Sequence, residues 1–250
     1  MSIRCESMVA LAMTIAAASL AAHAEPDTYA ALPIAAQVVD DETGSPLEGV
    51  IVVAQWKPVR EVIPGMAYRS MGDTLRIEET VTDAEGRFGF PGWGPVPRPA
   101  RLHLEHNDPQ ILLFKAGHYP RQVANEPRTK YSQAAVRASQ WDGKTIRLRR
   151  FTGQPQVYAV QNGRFRDEVT VDGTLMDLAF RVGGMQGDLG WSRDTDDWKR
   201  FPRMAVALAG ERERLMAAGL EKKSLFLIAP LASLHGGEAS VRKHLEGVGK

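Results

Sequence analysis

Val38-Val39-Asp40-Asp41-Glu42-Thr43-Gly44-Ser45-Pro46-Leu47-Glu48-Gly49-Val50-Ile51-Val52-Val53 and Thr80-Val81-Thr82-Asp83-Ala84-Glu85-Gly86-Arg87-Phe88-Gly89-Phe90 decide the fold. In each, β-prone apolar runs flank a break rich in Asp, Gly, Ser or Pro, which reads as strand, turn, strand. Outward from these stretches, Ile34–Asp40 and Gly49–Trp56 are the first two strands. Leu75, Ile77, Glu79 and Val81 alternate with polar neighbours and, with Arg87–Phe90 beyond the Asp-Ala-Glu-Gly turn, predict an antiparallel hairpin. Arg101–His106, Ile111–Lys115 and Lys144–Phe151 complete about seven strands at the spacing of a sandwich. Residues 57–73, with Pro58, Pro64, Gly65 and Gly72, read as a long surface loop. Pro91-Gly92-Trp93-Gly94-Pro95-Val96-Pro97-Arg98-Pro99 reads as a rigid loop, because each proline fixes φ and removes a donor.

The same residues carry a family likeness. Thr43-Gly44-Ser45-Pro46-Leu47-Glu48-Gly49-Val50 and Thr82-Asp83-Ala84-Glu85-Gly86-Arg87-Phe88-Gly89-Phe90 resemble the carboxypeptidase regulatory-like domains. The resemblance spans about 34–151 and implies a mainly β fold, a seven-stranded transthyretin-like β-sandwich. It implies no activity. The chain departs from the family pattern at Ala116-Gly117-His118-Tyr119, where a histidine interrupts the usual Gly-Tyr, and at Ala36, where glycine is frequent. Two enzymes share this kind of fold. Hydroxyisourate hydrolase ends in Tyr-Arg-Gly-Ser, which Tyr68-Arg69-Ser70 echoes only in mid-chain and without the glycine. Intradiol dioxygenases need two tyrosines and two histidines around iron, and His118-Tyr119 offers one of each.

Residues 152–250 read as a mostly helical C-terminal region. Asn162-Gly163, between Val157–Gln161 and Arg164–Val171, is a two-residue hairpin signal. Thr174-Leu175-Met176-Asp177 reads as a capped helix start, with Leu175, Leu178, Ala179 and Val182 at helical spacing up to Gly183-Gly184. Pro202–Ala218 is the clearest helix, opened by proline, striped by Met204, Leu208 and Leu215, and closed by Gly219 with Leu220 folding back on Leu215. Leu225–Leu231 is apolar enough to be buried, and Glu238–Leu245 predicts a short last helix. Trp191 and Trp198 are placed to pin these helices onto the sheet.

The address is written in residues 1–24. Arg4 precedes an apolar run from Met8 to Ala22, and Ala22-His23-Ala24 is a small-x-small cleavage pattern, which predicts a signal peptide cut before Glu25. At about 15 residues the run is short of the ~20 needed to span a bilayer. Cys5, the one cysteine, lies inside the leader, so the mature chain is expected to be thiol-free and unlipidated, stabilised by its core rather than by disulfides. Residues 25–33 read as a linker. The leader contains one base, Arg4, and one acid, Glu6, so the mature chain keeps the overall net charge of +1. An exported, periplasmic protein of a Gram-negative bacterium follows, with no transmembrane segment after cleavage and no nucleic-acid partner.

Three groups of side chains are candidates for chemistry. Between 115 and 150 stand nine basic residues, Lys115, Arg121, Arg128, Lys130, Arg137, Lys144, Arg147, Arg149 and Arg150, against Glu126 and Asp142. Arg147 and Arg149 alternate with Ile146 and Leu148, so one strand face is cationic and the other apolar. Arg121, Lys144, Arg147 and Arg149 are therefore the candidate anion-binding residues, for lipid head groups, lipopolysaccharide or an acidic protein surface; a plainly solvated sheet face is the alternative. Trp93, held in the proline loop, is a candidate rim aromatic for a glycan or peptide, or else a packing residue. His103, Glu105, His106, Asp108 and His118 are the densest metal-ligating types. On a strand His103 and Glu105 share a face, and His118 reaches them only if its loop folds back. Asp194, Asp196 and Asp197 open like a calcium loop but lack its glycine and distal glutamate. No Gly-x-Ser-x-Gly elbow, His-Glu-x-x-His or phosphate loop is present. The sequence therefore predicts a non-catalytic binding or accessory module without a cofactor, its partner a protein, glycan or anionic envelope component. The rival expectation is a metal-dependent enzyme with a shallow site near His103 and His118.

Overall fold

The computed structural model describes residues 27–61, 69–71, 74–104, 107–126, 135–160, 170–183, 197–228, 230–234 and 236–248. The leader, Tyr68, Trp191 and the Asn162-Gly163 hairpin signal lie outside them. The chain is mainly β with several sheets and few helices. Its strands are β1 (Thr28–Ala31), β2 (Ile34–Asp40), β3 (Ile51–Trp56), β4 (Pro58–Glu61), β5 (Arg69–Met71), β6 (Arg76–Val81), β7 (Arg87–Phe90), β8 (Trp93–Pro97), β9 (His103–Leu104), β10 (Gln110–Phe114), β11 (Arg121–Val123), β12 (Val136–Arg137), β13 (Thr145–Leu148) and β14 (Thr170–Asp172). The helices are α1 (Pro155–Val160), α2 (Leu175–Gly183), α3 (Pro202–Ala217) and α4 (Gly237–Val248).

Two sheets enclose one hydrophobic cluster. The order β13-β2-β7 forms one and β14-β11-β10-β3-β6 the other. Ile34, Ala36, Val38, Phe88, Phe90, Ile146 and Leu148 from the first meet Val50, Val52, Ala54, Trp56, Ile111, Leu113 and Val123 from the second. The alternate residues of the five-stranded sheet, Val53, Leu112 and Phe114, face a second cluster built with the helices. That double burial is why β3 and β10 are nearly continuous apolar runs.

Both turns that decide the fold carry the chain from one sheet to the other. β2 pairs with β7 and β13, whereas β3 pairs with β6 and β10. The expected hairpin of β6 with β7 is therefore corrected: the two strands belong to different sheets and the Asp-Ala-Glu-Gly turn is an arch. The arches are bonded to one another. Thr82 Oγ1 donates to Leu47 O at 2.6 Å and accepts Val50 N–H at 2.8 Å, while Val38 N–H donates to Gly86 O at 2.7 Å. Gly86 has φ +70°, and a Cβ there would stand 2.3 Å from Val38 O, so only glycine fits.

Other expectations change with the pairing. The linker contains β1, and residues 57–73 contain β4 and β5, which pair with one another; β4 also pairs with β9. The proline-rich stretch is β8, antiparallel to β1 at the edge of the sheet β12-β1-β8, where missing donors cost nothing. Val157–Val160 is helical rather than one arm of a β-ribbon.

The helices follow the capping signals. Thr174 N–H and Oγ–H donate to Asp177 Oδ2 at 2.9 and 2.8 Å, and Asp177 N–H returns a bond to Thr174 Oγ1 at 3.2 Å. At the C-terminal end of α3, Gly219 N–H bonds Met216 O and Leu220 N–H bonds Leu215 O, the paired contacts of a glycine stop. The N-terminus of α3 has no cap of its own; the buried Glu79 of β6 reaches across and accepts Arg203 N–H at 3.0 Å and Met204 N–H at 2.8 Å. The helix is thereby fixed to the sheet through its orphan amides. Trp198, Phe201, Met204, Leu208 and Leu215 fill the interface, as expected for Trp198. Leu225 and Ile228 are buried, but Phe226 between them is 74% exposed, because the turn closed by Ile228 N–H to Leu225 O spaces the inward positions by three.

Candidate functional site

The cationic edge arises where the two sheets meet. Beyond β13 the chain leaves the three-stranded sheet and bonds to the turn after β10, with Tyr119 N–H donating to Arg149 O and Phe151 N–H to Gly117 O. This brings Arg121 of β11 beside β13, where its Nη1 donates to Arg147 O at 2.9 Å. Ile146 and Leu148 are buried and Arg147 and Arg149 exposed, as the alternation predicts. Arg149 lies over the Tyr119 ring, 4.4 Å from its centre. Arg147 Nη1 donates to the Asp41 carbonyl at 3.4 Å.

One carboxylate bridges two of these three guanidinium groups. Asp172, at the end of β14, is 3.3 Å from Arg121 Nη1 and 3.5 Å from Arg149 Nη2. It arrives because β14 adds to the outer side of β11 with Arg121 opposite Asp172. Three cations against one anion leave a local excess of two positive charges. Lys144 is exposed but sits in the turn before β13, in phase with Ile146 and Leu148 rather than with the arginines. Arg137 is buried, with Nη2 donating to Leu104 O at 2.9 Å and its guanidinium 5.6 Å from the Tyr29 ring centre, so it leaves the basic surface. Lys115 donates to Glu48 O at 2.7 Å, and Arg128 and Lys130 lie outside the described residues.

Trp93 is not a rim aromatic. It is 9% exposed and packs edge-on against Trp56 with ring centres 5.3 Å apart. Pairing of β8 with β1 turns it inward, and the backbone approaches so closely that a Cβ on Gly94 would be 2.7 Å from Ala30.

The histidines are separated. His103 is half-buried on β9 opposite Val59, and Glu105 and His106 lie outside the described residues. His118 is buried and bridges to Arg150, with Nε2 3.7 Å from Asp40 Oδ2. Asp40 holds the first arch: Oδ1 accepts Glu42 N–H at 3.1 Å, Thr43 N–H at 2.9 Å and Thr43 Oγ–H at 3.1 Å, and these bonds, the Thr43 amide foremost, hold its carboxyl below the usual range. Burial pushes the His118 imidazole down, favouring its neutral form. Among the described residues no three His, Cys, Asp or Glu side chains are grouped as metal ligands. Asp194 and Asp196 lie outside the described residues, and Asp197 begins the 3-10 turn Asp197–Arg200 that leads Trp198 into the core. Among the described residues no helix is long and apolar enough to cross a membrane.

No family model matches the chain, and no curated protein matches it. Among solved structures it is similar to the group B streptococcus pilus 2b backbone protein, at 14% identity over 48% of this chain and 41% of that one, TM-score 0.25. It is likewise similar to 3-chlorocatechol 1,2-dioxygenase from Rhodococcus opacus 1CP, at 16% identity over 51% of this chain and 62% of that one, TM-score 0.29. A 9R-lipoxygenase from Cyanothece PCC8801 matches at 11% identity, covering 78% of this chain and 25% of its own, TM-score 0.25.

Proposed function

We propose that the chain is an exported, periplasmic, non-catalytic binding module whose two main sheets form a carboxypeptidase regulatory-like, transthyretin-type sandwich, and that its Arg121–Arg147–Arg149 edge docks it on anionic lipid head groups of the envelope. The observation that carries this reading is that Arg121 and Arg149 share a single carboxylate, Asp172, while Arg147 stands beside them, its carbonyl bonded by Arg121 and its own side chain exposed. The apolar faces of the strands are spent on the core, so Arg147 and Arg149 face solvent, with the half-buried Arg121 bonded behind them. An excess of two charges near an anionic membrane is worth about 2 kcal/mol at roughly 1 kcal/mol per basic residue, or about thirtyfold in partition.

The test is co-sedimentation of the mature protein with phosphatidylglycerol-containing vesicles and with phosphatidylcholine vesicles. The wild type binds the anionic vesicles, and Arg147→Glu with Arg149→Glu abolishes binding while altering stability by less than about 1 kcal/mol, since both side chains point away from the core. Indifference of the wild type to anionic vesicles at low salt ends the lipid reading.

A further inference from the structure

We propose that the seam between the sheet and the helices is a second binding site, one that takes a small monocarboxylate with an apolar body. A cleft of about 480 Å³ opens there, lined by Ala116, Gly117, Phe151, Gly153, Pro155 and Arg214. It draws on the turn after β10, the chain beyond β13, the start of α1 and the last turn of α3. Small-molecule sites are concave, mostly apolar and fitted with a few placed polar groups.

The wall is a rigid aromatic group. Phe151 stacks on Tyr158 with ring centres 4.6 Å apart and meets Tyr119 edge-on at 5.3 Å. A Cβ on Gly153 would come within 3.0 Å of the Phe151 ring, so glycine lets chain and ring pack together. Ala116, Gly117 and Gly153 contribute little side-chain bulk, so backbone as well as the Phe151 ring and Pro155 line the opening.

The charged end is pre-oriented. Arg214 donates from Nε to Glu211 Oε2 at 2.8 Å and from Nη2 to Glu211 Oε1 at 2.6 Å. Glu211 is 2% exposed and Arg214 53%, so the pair buries its anion and presents its cation. Nη1 takes no part in the fork and keeps its donors for a ligand. Behind the wall the fully buried Tyr158 hydroxyl lies near Glu211, and burial pushes its pKa up, so it stays neutral. Arg214 is the one charged group among the six lining residues, and Glu211 already offsets it. That favours a singly charged carboxylate over a phosphate, which needs more positive charge, and the apolar walls favour an aromatic or branched aliphatic body.

The experiment titrates the mature protein with benzoate, benzyl alcohol and phenyl phosphate, following the Gly117 and Gly153 amide resonances. Benzoate should shift both with a dissociation constant near ~1 mM, and benzyl alcohol should bind at least about fivefold more weakly. Ala116→Trp, at an exposed position, closes the cleft and should weaken benzoate at least about tenfold with an unchanged melting temperature. Arg214→Gln should erase the preference for benzoate over the alcohol. Should Arg214→Gln unfold because it strands Glu211, Ala116→Trp and the alcohol comparison still decide. Equal binding of acid and alcohol, tighter binding of phenyl phosphate, no shift at either glycine, or an Ala116→Trp protein that binds like wild type would each overturn the proposal. None of the six lining residues belongs to the arginine edge, which meets the wall only through the Tyr119 ring beneath Arg149, so vesicle binding can fail without touching the cleft.

Discussion

Replacing Gly86 with alanine measures whether the two arches lock each other. The residue has φ +70°, which costs an alanine about 1 kcal/mol by itself. The added Cβ would also stand 2.3 Å from Val38 O, 3.1 Å from Leu47 N and 3.3 Å from Pro46 Cβ. The first two contacts are to backbone that has little room to yield without stretching the 2.7 Å bond from Val38 N–H to Gly86 O. Weakening that bond adds roughly 1 kcal/mol, and strain in the arch adds a similar amount, for a total of about 2–4 kcal/mol. Gly44 supplies the control: its φ is also +70°, but nothing lies within 4 Å of the Cβ position, so Gly44→Ala should cost only about 1 kcal/mol. Urea unfolding of the wild type and both variants reads the difference as midpoint shifts at constant slope. Equal losses for the two variants would show that the arches do not touch and would refute the placement of β6 and β7 in different sheets.

Glu79→Ala removes the acceptor of two α3 amides and the partner that stands 3.7 Å from Arg203 Nη1. A loss of about 2–3 kcal/mol is expected, seen as a drop in melting temperature of roughly 5–10 °C; a loss under ~0.5 kcal/mol would mean the helix is held by packing alone. His118 gives a pH signature. Because burial lowers its folded pKa below the ordinary 6.5, the unfolded chain takes the proton first, and stability falls as pH drops through 6.5 toward the folded value. The wild-type melting temperature should therefore decline from pH 7 to about pH 5 more steeply than that of His118→Gln, and parallel profiles would contradict the burial of His118.

The sequence made some elements legible and hid others for identifiable reasons. β2 and β7 were readable to the residue, and the capping pair Thr174–Asp177 and the glycine stop at Gly219 marked two helix ends correctly, because these signals are local. Alternation also gave the orientation of Arg147 and Arg149. It could not say which sheet a strand joins, since side-chain phase fixes faces and not partners; hence the hairpin that proved to be an arch. The inward turn of Trp93 was hidden because Pro95 and Pro97 argue against a strand unless the edge position is known. Asp172 was missed for the deepest reason: it reaches the arginines through the pairing of β14 with β11, a contact between residues about fifty positions apart, and nothing in its neighbourhood marks it as charge-compensating. Arg137 adds to the basic run in the sequence but is buried near Asp108, a tertiary placement that its neighbours do not mark.

If the cationic edge docks on an anionic surface as proposed, Asp172 restrains it, and Asp172→Asn releases that restraint. Vesicle partition should be measured for wild type and variant across a salt series. Removing the carboxylate raises the local excess from two charges to three, so the variant should bind phosphatidylglycerol vesicles about fivefold more tightly at low salt, with a steeper decline toward 0.15 M, where the screening length is ~8 Å. Binding that is unchanged or weaker in Asp172→Asn would show that the arginines form an internal network and not a docking surface.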